Sequence, residues 1–244
     1  QWPGRSFSKI PRADEKEYYL LSPAQKRQYI LQQVQHGSTV YNIPYCFRLT
    51  GDIDVAKLEN AFRQLIMRHE SLRTSFELRD GEPVQLVREG VDFAIQRVEF
   101  SGSGSDVLSS YIRPFALSGA PLLRVYYGRH ADGFDLLLVD MHHIISDGRS
   151  SAVFWSDLTA LYYDRPLGEP GLRYIDYAEW LNLPGSRELI AGQAAYWQGV
   201  FSGEIPQLNL PVDFPRPAVQ DFSGDTGAFE INGEETGLLR ELAK

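Results

Sequence analysis

Apolar residues recur at Val55, Leu58, Ala61, Phe62, Leu65 and Ile66, the three-and-four spacing of one helix face, with Asp54 at the N-cap position and an expected end near His69. An earlier helix is expected from Ser22 as N-cap and Pro23 at the first helical position, running through Tyr29, Ile30 and Leu31. Between these two helices residues 41–49 alternate enough to be a strand. Two further strands are expected at 74–78 and 84–87 around the Asp80-Gly81 turn. Ser101-Gly102-Ser103-Gly104-Ser105 reads as a flexible loop before a helix over 107–112. Residues 122–127 and 134–142 read as a hairpin around Ala131-Asp132-Gly133. Helices are expected over 150–163, 174–181 and 187–200, and the prolines between Pro206 and Pro217 enforce extended backbone. Apolar periodicity returns over 235–244 as the start of one more helix. Hairpins mixed with helices predict an α+β two-layer sandwich, a mixed β-sheet covered by helices.

Composition narrows the possible functions. The chain has 244 residues, enough for one large domain or two ordinary ones, and its 43% hydrophobic share is that of a globular protein with a sizeable core. A net charge of −8 without any basic block argues against nucleic acid and against an anionic membrane surface as partners. There is no apolar run of transmembrane length and no secretory signal pattern, so a cytoplasmic location is expected. The single cysteine, Cys46, excludes an internal disulfide framework and a thiol-based zinc site. Between Tyr45 and Phe47 it reads as a packed strand residue. Residues 1–16, rich in proline, glycine and charge, read as a linker from something upstream.

The candidate chemistry is concentrated in His142-His143-Ile144-Ile145-Ser146-Asp147-Gly148, which follows the apolar run of 134–141 directly. Side chains of neighbouring strand residues face opposite ways, so one histidine should point at reactants while the other packs behind it. The same divergence argues against metal binding, as does the lack of a third imidazole nearby. His36, His69 and His130 read as ordinary residues. Tyr174, Tyr177, Trp180, Tyr196 and Trp197 fall at helical spacing and read as core.

Four separated stretches resemble one family, the condensation domains of nonribosomal peptide synthetases. They are LSPAQKRQYIL at 21–31, RHESLRTSF at 68–76, MHHIISDGRS at 141–150 and YIDYAEW at 174–180, in the family's order across nearly the whole chain. The resemblance implies a lobe like that of chloramphenicol acetyltransferase, two such lobes enclosing a tunnel. On that footing residues 17–220 are the N-terminal lobe and 221–244 the start of a C-terminal lobe that is otherwise missing, so the isolated lobe is expected to be inactive. An intact double histidine argues against the heterocyclising branch, and the opening motif looks most like the branch joining an L-donor to an L-acceptor. Arg149 departs from the aromatic residue that many members carry after the glycine.

The implied reaction is peptide-bond formation between a donor thioester and an aminoacyl acceptor, each on the phosphopantetheine arm of a carrier protein. No bound cofactor and no metal are implied. The implied partners are the donor and acceptor carrier proteins, the missing C-terminal lobe and neighbouring synthetase domains. His143 is the residue expected to face the tunnel, accepting a proton from the amine or hydrogen-bonding it. Asp147 is expected to hold the loop, and Gly148 to offer its N–H to the oxyanion. His142 is expected to pack as a hydrogen-bonded core residue, Arg68 to pair with Asp157, and Arg73 to line the tunnel floor. Two other readings stay open: a silent module that recruits a carrier protein or tailoring enzyme, and an ester-forming or epimerising relative.

Overall fold

The computed structural model describes residues 10–35, 37–206, 208–215, 217–218, 222 and 229–243. His36, residues 1–9 of the expected linker, parts of the proline-rich stretch and most of the expected boundary near residue 220 lie outside them. The first compact unit ends at Glu204.

Helix α1 (Pro23–Val34) starts where Ser22 and Gln25 cap each other. The Ser22 hydroxyl accepts from the Gln25 N–H at 3.2 Å, and the Gln25 side-chain oxygen accepts from the Ser22 N–H at 3.0 Å. Helix α2 (Val55–Arg68) is capped by Asp54 and buries the face its spacing predicts. A 3₁₀ turn, Glu70–Arg73, leads from it into the strands. Strand β1 (Tyr19–Leu20) pairs antiparallel with β4 (Glu82–Val87), which pairs with β3 (Thr74–Arg79). The second sheet runs β2 (Asn42–Leu49), β7 (Asp135–His142), β6 (Leu123–His130), β5 (Gln96–Phe100), antiparallel except for the parallel β5–β6 pair. The described strands thus form two sheets, where the sequence predicts one. The two strands that the sequence reading lacks, β1 and β5, are each very short or barely apolar and exist through pairing with distant partners.

Strand β7 explains its continuous apolar run by being covered on both faces. Leu137, Val139 and Met141 pack with α2 and with Phe154 and Leu158 of α4 (Gly148–Tyr162). Leu136 and Leu138 pack on the other face with Phe100, Tyr126 and Val107 of α3 (Gly104–Tyr111). Ser103 caps α3, so the expected flexible loop ends two residues early. Helix α4 likewise begins at Gly148 instead of 150, because the Asp147 side chain caps it. Helices α5 (Tyr174–Asn182) and α6 (Pro184–Val200) follow.

Three expectations are corrected. Cys46 is exposed on the edge strand β2, while its neighbours Tyr45 and Phe47 turn toward Trp155. Tyr174, Tyr177, Tyr196 and Trp197 are exposed; the buried side of α5 is Ile175, Asp176 and Ala178. The end of the expected linker is docked on α5: Ala13 donates its N–H to Asp176 at 2.9 Å and accepts from Arg173 at 3.0 Å, and Lys16 pairs with Glu179.

Gly128 of β6 lies opposite Val98 of β5, and a Cβ built there would land on the Val98 carbonyl oxygen. Backbone cannot yield as a side-chain end does. Gly128→Ala is therefore expected to cost about 1–3 kcal/mol or more by overpacking, read as a lowered thermal unfolding midpoint.

A second compact unit begins at Ile205. Among its described residues, α7 (Gly233–Leu242) is capped by Asn232, which accepts from the Glu235 N–H at 2.9 Å, and it buries no side chain. No helix among the described residues is long and apolar enough to cross a membrane.

Candidate active site

Strand β7 ends at His142, a tight turn follows, and α4 starts at Gly148, so the motif is a strand-to-helix crossover. The two histidines diverge as strand geometry requires. His142 is fully buried, and its Nδ1 accepts from the Ile144 N–H at 3.0 Å, which leaves the ring proton on Nε2. That Nε2 is buried without a hydrogen-bond partner among the described residues, so the expected core histidine is satisfied on one nitrogen only. Burial, and then the adjacent His143, depress its pKa to about 4, and the ring is neutral.

His143 is exposed. Its Nδ1 lies 2.9 Å from the Ser146 carbonyl oxygen, an acceptor only, so Nδ1 carries the proton and Nε2 keeps its lone pair. The ring borders a cavity of about 250 Å³. Gln25 and Gln85 meet in that cavity's wall, Gln25 Nε2 donating to Gln85 Oε1 at 3.2 Å, and Gln85 Nε2 donates to the Leu20 carbonyl at 2.9 Å. Tyr174 closes another side, its hydroxyl 2.8 Å from the Ser22 hydroxyl. The sequence places none of the three at the site: Gln25 and Tyr174 stand only within motif stretches, Tyr174 reads as core, and Gln85 carries no expectation. Gln85 between Val84 and Leu86 is the signal that was there to find: an amide in an apolar strand needs a buried partner.

Asp147 borders the same cavity, but its carboxylate is engaged, accepting from the Ser150 N–H at 2.8 Å and the Ser150 hydroxyl at 2.7 Å. Those two bonds hold its pKa below the usual carboxylate value. Gly148 is the first helical residue; its φ is not left-handed, and a Cβ there would meet nothing within 4 Å. The expected close backbone approach at 148 thus has no counterpart among the described residues of the protein itself.

A second cavity, of about 590 Å³, adjoins the first and shares Glu70, Ser71, Ile145, Ser146, Ser150 and Tyr174 with it. Arg73 lines this larger cavity, held by the Arg88 carbonyl and by Glu70 at 3.6 Å. Arg68 donates through Nε to Asp157 at 3.0 Å, the expected pair. His69 Nε2 lies 2.8 Å from the same Asp157 oxygen, so His69 is hydrogen-bonded to the carboxylate that Arg68 holds and is more than the ordinary residue its sequence context predicts.

The chain belongs to the condensation domain family, whose model matches residues 15–244. It is 45% identical to bacitracin synthase 3 of Bacillus licheniformis over 242 residues, which are 98% of this chain and 4% of that protein. It is 42% identical to surfactin synthase subunit 2 of Bacillus subtilis (strain 168) over 231 residues, 94% of this chain and 6% of that protein. Among solved structures, the X-domain from teicoplanin biosynthesis in complex with OxyB superposes with a TM-score of 0.72 at 26% identity, over 89% of this chain and 50% of that one. The starter condensation domain of rhizomide synthetase RzmA superposes with a TM-score of 0.62 at 22% identity, over 76% and 48%, a likeness of fold. The chain thus spans a small part of these synthetases and about half of each solved domain.

Proposed function

We propose that the chain is the N-terminal lobe of a condensation catalyst that forms a peptide bond between a donor thioester and an aminoacyl acceptor, both delivered on carrier proteins. The observation that carries this is His143: its Nδ1 is committed to the Ser146 carbonyl, and the residue lines a cavity with Nε2 bonded to nothing among the described residues. In the reaction the acceptor amine nitrogen attacks the thioester carbon, forming the C–N bond and an oxyanion. His143 Nε2 takes the ammonium proton. Collapse of the intermediate breaks the C–S bond, and the leaving thiolate recovers that proton. Gly148 is assigned the oxyanion contact through its N–H, and Asp147 fixes the start of α4 that presents it. His142 packs behind, while the Arg68–Asp157 pair ties the end of α2 to α4. Arg73 lines the larger cavity, where a pantetheine arm would run. The arms belong to the substrates, so the scheme needs no resident cofactor or metal. Likeness to the L-donor, L-acceptor branch assigns the stereochemistry.

The test is single-turnover reaction between two loaded carrier proteins, with the chain in its full synthetase. An amide product is expected. An ester from a hydroxyl acceptor, an inverted stereocentre without joining, or carrier binding without product would each replace this reading by one of the alternatives.

A further inference from the structure

Asp140 is fully buried two residues before His142, on the face of β7 that Leu136 and Leu138 begin. Its carboxylate accepts from Asn42 Nδ2 at 3.0 and 2.8 Å, one contact to each oxygen, and from Arg124 at 3.3 Å. Arg124 also donates to the carbonyls of Arg113 and Pro114, at 2.6 and 2.7 Å, and its guanidinium lies 3.7 Å from the centre of the Phe115 ring. Phe115 in turn stands edge-on to the His142 ring at 6.1 Å. Asn42 lies opposite His142 in the β2–β7 register and donates to the Arg113 carbonyl at 2.9 Å. Next to it, the Tyr41 carbonyl accepts the His143 N–H at 2.7 Å. One carboxylate therefore joins strand β2, strand β6 and segment 113–115 at the point where the chain leaves the sheet to present His143.

Stability does not account for a charge there. Burial pushes the Asp140 pKa up to about 6, against the opposing pull of Asn42 and Arg124, so the fold tolerates the anion without favouring it. An amide would fill the same shape without a charge.

We propose that Asp140 is a positioning residue for peptide-bond formation: its anion locks Asn42 of β2 and the Arg124-held segment 113–115 against the end of β7, and so fixes the direction in which His143 enters the cavity. This rests on the assignment of His143 made above. The groups around it are Arg124 and Tyr126 from β6, Arg113 from the segment after α3, the neutral Asn42 from β2, and His142 on β7 itself.

The experiment is Asp140→Asn in the full synthetase, with single-turnover amide formation followed against acceptor-carrier concentration and pH, alongside thermal unfolding. The maximal rate is expected to fall about tenfold or more, with the half-saturating carrier concentration unchanged and the unfolding midpoint not lowered, because Arg124 keeps both carbonyls and the Phe115 ring. The pH dependence that the amine and the general base impose is common to both proteins and cancels in the ratio of their rates; on acidification through about pH 6, as Asp140 takes up its proton, the wild-type advantage over the variant should shrink toward one. A wild-type rate in the variant, or a loss of rate that tracks a loss of folded protein, overturns the positioning role. Should the variant not fold, Arg124→Lys decides: it keeps the cation but loses the fork, and the same fall in rate at unchanged half-saturation is expected, a wild-type rate being fatal. His143→Ala, run in parallel, separates the two assignments. Its full activity would remove the reading of the site, whereas an inactive His143→Ala beside an unimpaired Asp140→Asn would remove the role of Asp140 alone.

Discussion

His143→Ala is expected to lower single-turnover peptide-bond formation by about 10²–10⁴-fold, the usual worth of a positioned acid–base group, without unfolding the protein. The fold should survive because His143 is exposed and, among the described residues, its ring makes one hydrogen bond, to the Ser146 carbonyl, worth about 1 kcal/mol net. The loss should be incomplete. An α-amine has a pKa of about 7.7–8.0, so an appreciable fraction is neutral near pH 7.5 and is a nucleophile without help. Holding the two reactants in attack geometry is worth roughly 7–11 kcal/mol, and most of the groups that do so are untouched by the substitution. If His143 orients the amine more than it takes its proton, His143→Gln, which keeps an acceptor, should run between wild type and alanine. A rate with no dependence on an imidazole-like pKa would remove the general-base role and leave the orienting one.

Phe62→Ala should destabilise the fold by about 3–5 kcal/mol, the usual cost of emptying a fully buried aromatic site. Phe62 is 0% exposed on α2, with ring centres 5.6 Å from Phe93 and 6.1 Å from Phe154 of α4. Neighbours in the segment before β5 and on α4 cannot both move in to fill the space. For a chain of this size that is a fall of roughly 10 °C in the unfolding midpoint, measured by circular dichroism or calorimetry. A fall of only a few degrees would mean that α2 and α4 close up over the gap. Because α4 carries the Asp147 cap and Asp157, activity should be lost at a lower temperature as well.

What could be read from the sequence divides along the range of the interactions involved. Helix α2 announces itself because six apolar residues repeat at one spacing and Asp54 caps them, all within sixteen residues. The divergence of His142 and His143 follows from strand geometry alone. Strand β5, by contrast, has Gln96, Arg97 and Glu99 among its five residues and becomes a strand only by pairing with β6, which no local pattern encodes. Arg68 and Asp157 lie 89 positions apart, and family resemblance, not spacing, predicts their pairing; nothing local in the sequence marks His69 as the third partner. Aromatic residues at helical spacing fit a core and a cavity wall equally well, and Tyr174 stands at the wall. The exposed Cys46 shows the same ambiguity on an edge strand, where only the covering element tells which face is inside.

Asp140 and His142 also give the fold a proton inventory that nearly cancels. The stability tied to Asp140 is fully present below its ordinary pKa of 3.8 and is lost as pH rises through about 6. The stability tied to His142 is fully present above its ordinary pKa of 6.5 and is lost as pH falls through about 4. Each shift corresponds to about 3 kcal/mol, with opposite sign. Across mild acid the native strand holds a proton at one position that the unfolded chain would release, and refuses one at the other that the unfolded chain would bind. From these two groups unfolding takes up almost no net proton, so the buried end of β7 is buffered against acidification even though both of its ionisable side chains are far from their ordinary behaviour.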